Sequence, residues 1–122
     1  MKYTVVDALS ILRPGAERIV LGDVYSGIEW LDSVQTKPTE TEINNKISEL
    51  DAAEPMRLLR EERVRLLSEC DWTQGADVPN SIKTAWQTYR QELRDLPASA
   101  SPKLDEFYEL DLSSVTWPSK PS

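Results

Sequence analysis

The sequence predicts an α+β fold: an N-terminal helix plus a β-hairpin, followed by a mainly helical C-terminal half with an antiparallel two-helix hairpin. Three observations carry this reading. Apolar residues recur at three- and four-residue steps in residues 4–12, again from Ile43 onward, and again in residues 80–96, the period of a helix with one buried face. Between Glu17 and Leu31, β-branched and aromatic residues flank a loop rich in Gly, Asp and Ser, the pattern of a hairpin. Between Met56 and Leu96, two charged segments with apolar stripes are joined by a short turn-rich loop, so they should fold back on each other.

The first helix places Val5, Ala8, Leu9 and Leu12 on one face, and Pro14-Gly15 ends it. Strands are expected at 17–21 and 28–31, joined by Gly22-Asp23-Val24-Tyr25-Ser26-Gly27. A lone two-stranded hairpin is barely stable in water, so it needs a helix or another chain to rest on. After the polar linker Gln35-Thr36-Lys37-Pro38, the run Thr39-Glu40-Thr41-Glu42 reads as a capping box. Thr39 would accept from an exposed helical amide, and Glu42 would reach back. Ile43, Ile47 and Leu50 line the helix that follows. Pro55 lacks an amide hydrogen and crowds the carbonyl of Asp51, so a break or kink is expected near Ala53-Glu54, with a second helix starting at Pro55.

That helix carries Leu59, Leu66, Leu67 and Cys70, widened by Leu58 and Val64, while Arg57/Glu61 and Arg65/Glu69 sit four apart. Such pairs read as a solvated face rather than an anion site. Residues 71–79 form a loop with Trp72, and Asn80 is the expected cap of a last helix striped by Ile82, Ala85, Trp86, Tyr89, Leu93 and Leu96. Pro97 should close it. The expected core of the helix hairpin is Leu59, Leu66, Leu67, Cys70, Trp86, Tyr89 and Leu93, with the two aromatics dominating the seam against the leucines. In the tail, Trp117 either folds back on the body or plugs another protein's pocket, and Pro118 and Pro121 exclude regular structure after it. The organisation expected is a helix and hairpin module over 1–38, a helical region over 39–97 and an extended tail over 98–122.

Composition narrows the function classes. The chain has 122 residues and a formal charge of −7, enough to bury roughly 13,000 Å² on compact folding. The acidity argues against nucleic acid and against an anionic membrane surface as partners, because both need clustered Lys and Arg. Cys70 is the single cysteine, so no intramolecular disulfide is expected, and on an apolar stripe it reads as a small hydrophobe. Asp7 and Arg13 interrupt the first apolar run, which is too short for a signal peptide, and no stretch approaches bilayer length. A reducing cytoplasm is the expected setting. The sequence holds no histidine, which removes the commonest general base and metal ligand. Carboxylate pairs such as Glu40/Glu42, Glu61/Glu62 and Asp105/Glu106 fall on polar faces or in the tail rather than in a buried pocket. Neither enzyme activity nor a cofactor nor a metal is expected.

The second half carries a recognisable order of motifs. Arg60, Arg63, Leu66-Leu67 and Asp71-Trp72-Thr73-Gln74 resemble an R-x-x-R-x-x-L-L-x-x-x-D-W-T-Q core. Asp77-Val78-Pro79 follows, then Trp86, Tyr89-Arg90-Gln91 and Leu93-Arg94-Asp95-Leu96 resemble W-x-x-Y-R-Q-x-L-R-D-L, and Val115-Thr116-Trp117-Pro118 resembles a terminal V-x-W-P. This combination is similar to the tail-assembly-chaperone-like proteins of tailed bacteriophages. Gly75-Ala76 and the short Pro79-Asn80-Ser81 depart from the loop usual there. The first 38 residues look like leaders seen in phages of marine cyanobacteria.

The resemblance implies a small non-enzymatic protein that helps fold, assemble or attach tail or tail-fibre proteins, acting in the host cytoplasm during infection. A structural virion component, such as a tail or fibre adaptor, is the alternative, and a host-directed inhibitor a third reading. The expected contacts to a tail or tail-fibre partner are Trp72, Trp117, Trp30 and Tyr25, because aromatic anchors and open strand edges carry interfaces. The unsupported hairpin edge also leaves room for a homodimer.

Overall fold

A computed structural model describes residues 2–121; Met1 and Ser122, the outer ends of the expected first and last segments, lie outside the described residues. The element order is α1 (Val5–Leu12), β1 (Arg18–Val20), β2 (Ile28–Trp30), α2 (Glu40–Glu69) and α3 (Asn80–Ser99), with short 3-10 turns between and after them. The α+β expectation holds, with an N-terminal helix, a two-stranded antiparallel hairpin and then long helices. The chain divides into two compact units, Met1–Glu54 and Pro55–Ser122.

In the first unit, α1 starts at a reciprocal capping box that the sequence reading did not single out. The Thr4 hydroxyl accepts from the Asp7 amide at 3.3 Å, and the Asp7 carboxylate accepts from the Thr4 amide at 2.9 Å. In the hairpin Arg18 faces Trp30, Ile19 faces Glu29 and Val20 faces Ile28. Strand alternation therefore turns Val20, Ile28 and Trp30 to one side. That side meets the stripe of α1: Val5, Ala8, Leu9, Ile28 and Ile43 form one buried cluster, with Leu12, Val20, Tyr25, Trp30 and Ile47 packed against it. The hairpin thus rests on α1 and on the start of α2. Gly27 is required at its turn, since a Cβ there would lie 1.9 Å from the carbonyl oxygen of Leu21.

Half of the capping box expected at Thr39 forms. Its hydroxyl accepts from the Glu42 amide at 3.1 Å, but the Glu42 carboxylate pairs instead with the Arg13 guanidinium at 3.3 Å. Tertiary packing offers that side chain a full charge rather than a backbone amide. The expected break at Pro55 does not occur, because Pro55 lies inside α2. The carbonyl its ring deprives of a hydrogen bond belongs to the exposed Asp51, where water can take the missing donor's place. Before the proline, the buried Glu54 carboxylate accepts from the Tyr3 hydroxyl; after it, the fully buried Leu59 packs with Leu96 and Val115, and these contacts work against the cost of an interior proline, about 3 kcal/mol.

In the second unit, α2 and α3 run antiparallel, as the order of their contacts shows. Leu59 packs with Leu96, whereas Cys70 packs with Tyr89 and Leu93. Between these two levels, the Arg63 guanidinium donates to the Arg94 carbonyl at 3.1 Å and that of Arg90 to the Leu67 carbonyl at 2.9 Å. Two boundaries differ from expectation. Asn80 is the first helical residue of α3, after a Pro79 that makes no side-chain cap, and Pro97 lies inside the last turn. Residues 98–121 do not trail away from the unit. Val115 is buried against Leu59 and Leu96, and Leu110 packs beside them.

Candidate partner-binding surface

The corner between α2 and α3 is built by the motif residues themselves. Where α2 ends, its last carbonyls lose their helical donors and need others. The Leu67 carbonyl takes the Cys70 amide at 3.2 Å and the Arg90 guanidinium at 2.9 Å. The Cys70 carbonyl takes the Thr73 amide at 3.1 Å and the Thr73 hydroxyl at 2.6 Å. Thr73 is fully buried for this purpose. Gln74 then ties the corner to α3, its amide donating to the Thr73 hydroxyl at 3.0 Å and the Lys83 carbonyl at 3.4 Å.

Arg90 holds the assembly from the α3 side. Its guanidinium lies 2.9 Å from the Asp71 carboxylate and 3.1 Å from the Cys70 sulfur. Burial opposes its charge, but these bonds prevail and raise its pKa above the ordinary value. Burial likewise pushes the Tyr89 phenol up, with Cys70 and Glu69 adding to the effect.

Trp72 is the exception within Asp71-Trp72-Thr73-Gln74. Thr73 is buried, Gln74 is half-buried and the exposed Asp71 is tied to Arg90, while Trp72 is 62 % exposed with its indole turned outward. Its ring centroid lies 6.2 Å from that of Trp86, and Trp86 meets Tyr89 edge-on at 5.5 Å. Ile82, one turn before Trp86 on the same helical stripe, is also exposed. The corner therefore presents an aromatic ladder whose lower rungs are packed and whose top rung faces solvent.

The remaining expected residues are placed as follows. Leu66, Leu67 and Trp86 pack around the buried Cys70, Tyr89 and Leu93. Leu59 does not meet the two aromatics. It belongs to a separate cluster with Leu96 and Val115, because the tail brings a third apolar surface that helical periodicity does not reveal. Of the two alternatives for Trp117, the first is found: its indole packs against both clusters and donates to the Leu112 carbonyl at 3.0 Å. Tyr25 and Trp30 are half-buried in the first unit, donating to the Pro38 and Gln35 carbonyls, each at 2.9 Å. Lys37 stacks 4.7 Å above the Tyr25 ring. They are thus set apart from the Trp72 corner in the chain's division into units.

Arg90 and Thr73 were not singled out from sequence as site-building residues. The available signal was their place inside the motif beside Tyr89 and Trp72, but nothing local distinguishes a buried arginine that caps a distant helix from a solvated one. The pairs Arg57/Glu61, at 2.7 Å, and Arg65/Glu69, at 2.5 Å, form on exposed faces of α2.

Compared with known proteins, residues 56–122 match a family model described as phage tail assembly chaperone protein. No curated protein and no solved structure matches the chain. Among the described residues, no group of three or more His, Cys, Asp or Glu side chains is arranged to hold a metal ion, and no helix is long and apolar enough to cross a membrane.

Proposed function

Because the chain belongs to the phage tail assembly chaperone protein family, whose role lies in tail assembly, we propose that it holds a tail or tail-fibre protein by direct contact through the Trp72 corner. It acts without catalysis, in the cytoplasm of the infected host, and leaves before the particle is complete. The observation that carries this reading is the exposure of Trp72 on a corner whose neighbouring motif residues are committed to internal bonds. An indole can bury a large apolar area against a partner, and a rigid frame lowers the ordering cost of doing so. Trp117, in the same unit, adds the outward edge of its half-buried ring, and Trp30 and Tyr25 offer a separate aromatic contact on the first unit.

Affinity capture of the co-expressed tail and tail-fibre proteins tests this. Trp72→Ala should weaken capture at least about thirtyfold, equivalent to the ~2 kcal/mol of an interfacial hot spot, with the far-ultraviolet circular dichroism unchanged. Undiminished capture by this variant would remove Trp72 from the interface. Mass spectrometry of purified particles should find the protein absent or far below stoichiometric; a stoichiometric amount would make it a virion component.

A further inference from the structure

Residues 103–111 form a short finger in the second unit. Leu104 and Leu110 pair as an antiparallel bridge. The Asp111 amide donates to the Lys103 carbonyl at 2.9 Å, and the Asp105 amide to the Glu109 carbonyl at 2.7 Å. At the tip, the Asp105 carboxylate accepts from the Phe107 amide at 2.8 Å and the Glu109 amide at 3.0 Å. Tyr108 has φ 60°, a left-handed conformation that a residue with a Cβ keeps only where its surroundings impose it. The finger is therefore an ordered feature of the tail.

Between this finger and the outer face of α2 runs an open groove of about 380 Å³. Its floor is apolar, made by Leu58, Leu110 and Leu112, and Leu112 is 55 % exposed. Its rim is acidic on both sides, with Glu61 and Glu62 on the helix and Glu109 on the finger. Arg65 is the single cation in the lining, held by Glu62 and Glu69 on its own helix, and Glu61 pairs on the exposed helix surface with Arg57, which lies outside the lining. The Glu109 carboxylate has no partner among the described residues. An oily floor between carboxylates favours a ligand that pairs aliphatic side chains with flanking positive charges, and repels an acidic one.

We propose that this groove docks a cationic amphipathic segment of another protein, one that alternates aliphatic residues with Lys or Arg. The assignment stands on charge complementarity and the groove's shape, and it is independent of the Trp72 contact.

The test is a titration of the isotope-labelled full chain with a synthetic peptide of repeating Leu-Lys-Lys-Leu units, and with its Leu-Glu-Glu-Leu counterpart, followed by amide chemical shifts. The cationic peptide should move the amides of Glu61, Glu62, Glu109 and Leu112, and the acidic one should not. The double variant Glu61→Gln/Glu109→Gln should bind about fivefold more weakly, as expected for the loss of two exposed pairs, whereas Trp72→Ala should bind unchanged. Residues up to Glu54 carry five Lys and Arg against ten Asp and Glu, and those from Pro55 onward nine against eleven. Attraction by charge alone would therefore favour the first unit, and shifts centred there would overturn the proposal. So would equal binding to the double variant, or groove shifts that grow with protein concentration in the absence of peptide, which would mark a second copy as the occupant.

Discussion

The guanidinium of Arg90 lies 2.9 Å from the carboxylate of Asp71, so a side chain from the middle of α3 closes the end of α2. Helix ends normally find their donors in the next few residues. Here one comes from across the hairpin, and the corner that displays Trp72 depends on it.

Replacing Arg90 should therefore loosen the corner. Arg90→Met keeps the aliphatic stem but removes the donors to Leu67, Cys70 and Asp71. The expected loss is about 2 kcal/mol, the scale for a hydrogen bond to a charged group, read from urea unfolding. Arg90→Lys should recover only part of it, because an ammonium lacks the planar fork that reaches several acceptors at once.

The two indoles of the ladder should respond differently. Trp72→Ala, at an exposed position, should change unfolding stability by less than about 0.5 kcal/mol. Trp86→Ala removes a ring packed on Tyr89 and its cluster and should cost roughly 3 kcal/mol. Equal losses would mean that Trp72 is part of the packed core.

The tail should be structural. Val115 is buried between Leu59 and Leu96, so Val115→Ala should destabilise the second unit by roughly 2 kcal/mol, counting the lost methyl groups and the cavity they leave. Deletion of residues 115–122 should cost more, since Trp117 leaves both clusters as well. Hydrogen exchange at the Leu59 and Leu96 amides would report either change.

Acid should act on the first unit through Asp32. The amides of Gln35, Glu17 and Val34 donate to its carboxylate and hold its pKa below the ordinary value. A carboxyl depressed in the folded state stabilises that state above its unfolded pKa, near 3.9, and the contribution is lost as pH falls toward the folded value. A side-chain titration by nuclear magnetic resonance should place the Asp32 midpoint below that of an exposed aspartate. Asp32→Asn should flatten the acid limb of stability in this unit.

Pro55 offers a test of helix continuity. Pro55→Ala restores a donor for the Asp51 carbonyl inside α2 and should raise stability by up to about 3 kcal/mol, with the amide newly present at that position protected from exchange. A loss instead would show that the proline's half-buried ring packs better than the restored bond compensates.

By itself the sequence determined the local elements and their kin. The stripe of Val5, Ala8, Leu9 and Leu12, the Gly-rich turn between two β-branched runs, Thr39 before Ile43, and the ordered motifs from Arg60 to Trp117 each act within a few residues, so their reading needs no distant partner. Tertiary structure decided what those elements meet. The Tyr3 hydrogen bond to the buried Glu54 and the apolar burial of Leu59, on adjoining turns, support an α2 that is unbroken at Pro55. The docked Val115 draws Leu59 away from the aromatic seam. Packing also sorted the tryptophans, folding Trp117 against the body and leaving Trp72 outside. A helical period states which side chains share a face, but the energy that selects the opposing surface comes from apolar area buried between residues far apart in the chain.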